Sequence, residues 1–373
     1  MEKHSLKQFV VDFCARAKIT IDGQQPEDIQ VKDERFYAKV VSQGSLGLGE
    51  AYMDGWFECQ EIDSMIFNLL RNHALEKDHG GLQTLYQKMK AVVMNPQTYL
   101  RSFEVGKRHY DLGDDLFKAM LDKRMIYSCA YWKDAQDLDS AQEAKLELIC
   151  KKLLLKPGMK VLDIGCGWGG LAEHAARHYG VSVVGITVSK NQYEYAKQRT
   201  QGLPVEIKFE DYRQTQGQFD RVVSVGQFEH VGYKNYNTYM NHVHHLLKKE
   251  GLFLLHTIGN NLSRTYGEPW MVKYIFPNSM TPSIAQISKS VEGKFVMEDW
   301  HNFGVYYDKT LMAWYENVNA HWPELSRKYD QRFYRMWRYY LLSCAGAFRA
   351  RSTQLWQVVL SKNGLLGGYP SIR

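Results

Sequence analysis

The chain has 373 residues and a net charge of +6, with 45% apolar and 24% charged residues; this is a globular composition on a chain too long for one small core, so two domains are expected. No run of Lys and Arg reaches five residues, which excludes a basic nucleic-acid-binding arm, while the modest positive balance suits a phospholipid surface. Six cysteines without C-x-x-C or zinc spacing, an N-terminal MEKHSLKQFVVDF without a signal-type apolar core, and no stretch near ~20 apolar residues predict a cytoplasmic protein with reduced thiols, no metal and only peripheral membrane contact.

Leu6, Phe9, Val10, Phe13 and Cys14 fall at helical spacing. Phe36–Val41 reads as a short strand. In GSLGLGEAYMDGWFE (44–58) three glycines in six residues predict a loop that exposes Trp56 and Phe57. Ile62–Leu70 is amphipathic. These elements predict a small, mainly helical N-terminal domain over 1–80, then a linker over 81–104 that starts at a Gly80-Gly81 hinge and carries a helix-like stretch, 82–93. The remainder, 105–373, is one larger domain. His109, Tyr110, Asp111, Tyr127, Ser128, Cys129, Tyr131 and Trp132 crowd an irregular segment, as in a lid or pocket wall. Ser140 and Glu143 form a capping box for a helix with Leu146, Ile149, Cys150 and Leu153 on one face. Lys156-Pro157-Gly158 ends it.

From Met159 strands and helices alternate. Strands are predicted at Val161–Ile164, Val181–Ile186, Val205–Phe209, Asp220–Val225 and Gly251–Thr257, with Phe295–Asp299 and Leu355–Leu360 completing a seven-stranded sheet. Such βαβα alternation means parallel strands joined by right-handed crossovers, with ligands at the strands' carboxyl ends. That rule selects Asp163–Gly170, Thr187, Asp211, Glu229 and His256.

The glycine turn fits two cofactor classes. Gly165, Gly167 and Gly170 satisfy the G-x-G-x-x-G of dinucleotide sites. Asp163, Gly165, Gly167 and Gly169 equally satisfy the D-x-G-x-G-x-G of S-adenosylmethionine (SAM) methyltransferases. The second strand ends in Gly185-Ile186-Thr187 and lacks the acid that either class uses for ribose. The third ends in Glu210-Asp211-Tyr212, where methyltransferases receive the adenine amino group, and no second mononucleotide half follows. SAM is the better reading.

Several segments together resemble the cyclopropane-fatty-acyl-phospholipid synthases: YSCAYW (127–132), VLDIGCGWGG (161–170), GITVSKNQ (185–192), GQFEHVG (226–232), LLHTIG (254–259), MEDWHNFGVYYD (297–308) and CAGAFRARSTQLWQ (344–357). GSLGLGEAYMDGW (44–56) resembles the N-terminal domain of the bacterial members that act on phospholipids. The resemblance spans essentially the whole chain and departs at none of these motifs. It implies an α/β fold: a seven-stranded, Rossmann-like SAM-dependent methyltransferase domain preceded by a small helical domain that binds lipid. It further implies methylene transfer from SAM to the cis double bond of a phospholipid acyl chain, giving a cyclopropane. Gly165 and Gly167 would hold the methionine part of SAM, Asp163 and Gly169 would be further cofactor-binding residues, and Thr187 with Gln192 would replace the missing ribose acid. Asp211 and Tyr212 would border the adenine, and Tyr127 and Ser128 would close over the cofactor. A bicarbonate ion would be held by Glu229, His256, Tyr307 and the backbone around Cys129 and Ile258. The implied partners are the inner membrane face and a second copy of the chain.

The chemistry asks for such a site. An alkene has no proton to lose before attack, so catalysis rests on alignment and exclusion of water. Attack leaves a carbocation, which aromatic faces stabilise without reacting. Ring closure then requires a base. Other readings are a fatty-acid methyltransferase that leaves a branched chain, an amine N-methyltransferase on the same fold, and a silent lipid-binding protein. Cys129 reads as a packing or backbone position, Cys166 as a small turn residue, and His242, His244 and His245 as faces of one helix.

Overall fold

The computed structural model describes residues 3–73 and 113–373. The Gly80-Gly81 hinge, the 81–104 linker and His109, Tyr110 and Asp111 lie outside the described residues. The described residues divide into two compact units: the first comprises 3–73, 266–277 and 307–353, and the second 113–265, 278–306 and 354–373. A boundary drawn along the sequence at 80–105 does not anticipate that two later segments join the N-terminal residues.

The second unit is built on seven strands: β3 (Lys160–Ile164), β4 (Ser182–Thr187), β5 (Val205–Phe209), β6 (Phe219–Val225), β7 (Leu247–Asn260), β8 (Val296–Asn302) and β9 (Thr353–Ser361). All seven predicted strands are present, in the order β5-β4-β3-β6-β7-β9-β8. The first five run parallel, and β8 pairs antiparallel with β9. Strand order reverses at β3, with β4 on one side and β6 on the other. A crevice therefore opens beyond the carboxyl end of β3.

Successive side chains point to opposite faces of a strand, and each face has its own core. Leu162, Ile164, Val184, Ile186, Phe253 and Leu255 pack with Tyr239, Met240 and Val243. Val161, Val183, Val223, Leu252 and Leu254 pack with Ile149, Leu153, Ala172 and Ala175. The helix preceding β3 spans Leu138–Lys152 and is capped by Asp137, with Ser140 at N3 of the capping box. The expected Ser140–Glu143 box is thus displaced by one turn, and Glu143 instead pairs with Arg124 at 2.7 Å.

The first unit contains α1 (Lys3–Arg16), α2 (Arg35–Met53) and α3 (Ile62–His73), with a two-stranded pair, β1 (Gln30–Val31) and β2 (Phe57–Glu58). The expected strand at 36–41 and much of the expected glycine loop are helix α2, kinked at Gly44, where φ is 57° and ψ is −132°. Two of the loop-like glycines serve packing. A Cβ on Gly47 would lie 2.4 Å from the Lys39 carbonyl oxygen, and one on Gly49 would lie 2.4 Å from the Trp270 indole. Phe57, expected at the surface, is fully buried against Phe36 and Tyr52, with ring centroids 5.2 and 5.5 Å away. Trp270 is also buried. Glu50 draws the later segment in: its carboxylate takes Lys39 at 3.1 Å, the Tyr274 hydroxyl at 2.8 Å, and Lys273. Among the described residues no helix is long and apolar enough to cross a membrane.

Candidate active site

The cleft beyond β3 is open to solvent and lies wholly within the second unit. Gly165 and Gly167 adopt left-handed φ values of 82° and 55°, which fold the chain back so that the Gly165 and Cys166 amides reach the Ile186 carbonyl at 3.0 Å. A Cβ on Gly165 would stand 2.9 Å from Gln227, so the turn also needs glycine for space. Gly169 caps the helix Gly170–Tyr179. It packs on Ala196 and, unlike the other turn glycines named for the cofactor, is not part of the cleft wall.

Tyr127, Ser128, Asp163, Gly165, Gly167, Thr187, Gln192, Asp211 and Tyr212 all line this cleft. Folding therefore gathers nine of the ten predicted cofactor residues. Thr187 Oγ1 donates to Gln192 Oε1 at 2.9 Å and accepts from the Ser189 amide at 3.2 Å. This fixes both side chains at the end of β4, where an acid was missing. Asp211 caps a short 3-10 turn and accepts from the Arg213 amide at 3.0 Å. Tyr127 stands edge-on to Phe117 at 5.3 Å, and Phe117 packs on Trp168 at 5.1 Å, so the segment over the cleft has an aromatic support.

Beneath that segment lie two residues the sequence reading passed over. Gln142 and Lys145 project from the helix Leu138–Lys152 and are fully buried. Gln142 Nε2 donates to the Ser128 carbonyl at 2.9 Å, and Lys145 Nζ donates to Ser128 Oγ at 2.8 Å. They share the stripe of Leu146 and Ile149, and two polar residues in an apolar stripe were the available signal. Burial pushes the Lys145 ammonium down to about 8, opposed by the charge of buried Asp122 more than by that of Asp163, and pushes the Asp163 carboxyl up to about 7 against the charge of Lys145.

A second cluster follows β6. The Phe228–His230 turn presents Glu229, whose Oε1 accepts the Ile258 amide at 2.7 Å while Oε2 is buried without a partner. Desolvation raises Glu229 to about 7, against the Ile258 hydrogen bond. His256 sits on β7 opposite Val225 and is fully buried. Its Nδ1 receives the Gln357 amide at 3.2 Å, so Nε2 carries the proton of the neutral ring, and Nε2 has no partner. Burial, then the charges of Lys145 and Lys152, holds His256 well below its usual range. Cys129 is fully buried, its thiol 3.3 Å from the Ala130 carbonyl oxygen. Phe303 stands 5.9 Å from the His256 ring and 5.3 Å edge-on to Tyr131, with Tyr306 at 5.5 Å from Tyr131. An aromatic wall thus adjoins His256. Tyr307 belongs to the first unit, in the first turn of the helix Val305–Leu325, with its ring 4.6 Å from Phe348.

This arrangement offers a cleft at the strand ends and, apart from it, two buried groups, the unfilled acceptor Glu229 Oε2 and the unfilled donor His256 Nε2. Residues 97–358 match the family model described as mycolic acid cyclopropane synthetase. The chain is similar to a cyclopropane-fatty-acyl-phospholipid synthase of Escherichia coli, at 56% identity over 95% of this chain and 94% of that one. It is also similar to a probable fatty acid methyltransferase of Pseudomonas putida, at 38% identity over 91% and 88%. Among solved structures it matches a mycolic acid cyclopropane synthase complexed with S-adenosylhomocysteine (SAH), with a TM-score of 0.65 and 33% identity over 70% of this chain and 98% of that one.

Proposed function

The chain belongs to the SAM-dependent cyclopropane synthase family, and from that premise we propose that it converts cis double bonds in the acyl chains of membrane phospholipids into cyclopropanes, with a bound bicarbonate as the base. The observation that carries the chemistry is the orphaned pair of buried atoms, Glu229 Oε2 and His256 Nε2. Buried polar groups are normally satisfied, and an unfilled acceptor with an unfilled donor suits a hydrogen-bearing oxyanion.

The cleft residues fit SAM. Thr187 and Gln192 offer a fixed pair of polar side chains for a ribose, and Asp211 and Tyr212 border the space an adenine would fill. When bound, SAM supplies an electrophilic methyl group. Gly165 and Gly167 let the backbone approach it, and the Tyr127–Ser128 segment screens it from water. Glu229 Oε2 would accept a hydrogen bond from the hydroxyl of a bicarbonate and His256 Nε2 would donate to another of its oxygens, and an anion so held would supply the base that ring closure requires. The aromatic faces near His256 stabilise positive charge on the acyl chain without capturing it.

The substrate lies in a bilayer, so the enzyme would work at the inner membrane surface as a peripheral protein, its positive charge drawn to anionic lipid. A homodimer would give each particle two membrane footprints. The test is incubation with SAM and vesicles of unsaturated phospholipid, followed by mass analysis and ozonolysis of the acyl chains. Gain of one CH₂ with loss of the double bond is expected. Gain of a methyl group with retained ozone sensitivity, or methylation of the head-group amine, would overturn the cyclopropane reading.

A further inference from the structure

Among the described residues the His256 ring makes one hydrogen bond, from Gln357 Nε2 to Nδ1 at 3.2 Å, while Nε2 has no partner. Burial, then the charges of Lys145 and Lys152, keeps the ring neutral, so it carries a single proton. A neutral imidazole donates from one nitrogen and accepts at the other, and the partner of the first decides the role of the second. Gln357 is a costly residue for its place. It is fully buried on β9, between Trp356 and the apolar run Val358, Val359 and Leu360. Its Oε1 is buried without a partner, a loss that an apolar side chain of the same size would not suffer. His301, opposite Gln357 in the β8–β9 register, is engaged with Lys152, its Nδ1 3.1 Å from Nζ. What the Gln357 side chain gains in return is its contact with His256. The direction of that amide matters. Turned end for end, it would set Oε1 on the ring and move the proton to Nδ1. His256 Nε2 and Glu229 Oε2 would then both be acceptors, and neither could donate to an anion.

We propose that Gln357 is a positioning residue for the reaction: its amide N–H holds His256 in the tautomer and orientation that present Nε2–H, so the histidine is a ready donor before an anion arrives. This deepens the reading above, in which His256 donates to bicarbonate, and rests on it. A donor already aimed loses little further freedom when its acceptor binds. Gln357 is not part of the cofactor cleft wall, so its effect falls on the anion and not on SAM.

The experiment reads the tautomer and the anion dependence separately, both on the full chain. Long-range proton–nitrogen correlation on protein carrying nitrogen-15 histidine, with His256→Gln to assign the signals, should show native His256 neutral with its proton on Nε2. Cyclopropane formation is then measured against added bicarbonate, in buffer first stripped of carbon dioxide. In Gln357→Met the bicarbonate concentration for half-maximal activity should rise by about 3- to 10-fold, the worth of one neutral hydrogen bond. The rate at saturating bicarbonate should return towards the native one, with SAH affinity within about twofold of native, a split that general loosening of the sheet would not produce. A native proton on Nδ1, an unchanged bicarbonate dependence in Gln357→Met, or equal loss of SAH binding and anion response would each overturn the proposal. Should the variant not fold, the native tautomer decides. Native activity indifferent to bicarbonate would sink the anion reading itself, and the tautomer, measured without turnover, tells that failure from a failure of the Gln357 assignment.

Discussion

Ile258 donates its backbone N–H to Glu229 Oε1 at 2.7 Å, tying the turn after β6 to the end of β7 and leaving Glu229 Oε2 buried and unfilled. One oxygen thus positions the carboxylate and the other remains for chemistry. Glu229→Gln keeps the size and the Ile258 contact but cannot take up a proton. Cyclopropane formation should fall by at least ~10²-fold, the usual share of a proton-transfer group, with SAH affinity within about threefold of native, since Glu229 is not part of the cofactor cleft wall. Parallel loss of both would remove Glu229 from the proton path.

Asp163 makes stability depend on pH in an unusual direction. Burial raises its carboxyl from 3.8 to about 7, so between these values the folded state holds a proton that the unfolded chain has lost. The stabilisation is complete below about pH 4 and disappears as pH rises through 7, at up to ~1.4 kcal/mol per pH unit. Asp163→Asn stays neutral throughout. Its melting temperature relative to native protein, both without ligand, should be higher at pH 7.5 than at pH 5.5. A difference independent of pH would show that Asp163 ionises normally.

The contact between Gly49 and Trp270 gives a prediction for the first unit. A Cβ at Gly49 would lie 2.4 Å from the indole, and the buried Trp270 ring is wedged against Tyr339 at 4.8 Å. Gly49→Ala favours helix locally but overpacks this contact, and should cost about 1–3 kcal/mol, read as an earlier unfolding transition in urea. Unchanged stability would mean that the indole has room to shift.

Membrane association, if driven by the +6 net charge, should be stronger on phosphatidylglycerol vesicles than on neutral ones and should fall as salt rises from 0.05 to about 0.5 M. Co-sedimentation measures it; salt-independent binding to neutral vesicles would point to apolar insertion instead. Deleting residues 1–85 is a poor version of this test. A Cβ on Gly346, in the helix Gln331–Arg349, would meet the Asp63 carbonyl oxygen at 2.3 Å, so truncation would strip a closely packed face.

The second unit was largely legible in the sequence because its signals are local. Apolar runs of five to seven residues, glycine turns and helix caps repeat in register from Met159 onward, and the strand-end rule then selects ligand positions without knowledge of packing. Thr187 and Gln192 could be named, though their mutual hydrogen bond could not. The first unit was less legible. FYAKVV carries the β-branched and aromatic residues of a strand, and three glycines follow, yet both lie in α2 because Phe36 and Tyr37 pack on one face and Gly47 and Gly49 admit close neighbours. Long-range packing overrides propensity there.

By itself the sequence determined the order of strands and helices, the left-handed glycine turn and the set of polar residues at strand ends, since each depends on neighbours a few positions away. Only the tertiary structure decided that residues 266–277 and 307–353 pack with the N-terminal helices, that Glu229 takes the Ile258 amide, and that Lys145 meets Ser128 within the same cleft as Asp163. Those facts depend on which helix face meets which strand end. No periodicity records this, because a buried lysine and a buried leucine occupy the same position in a helical stripe.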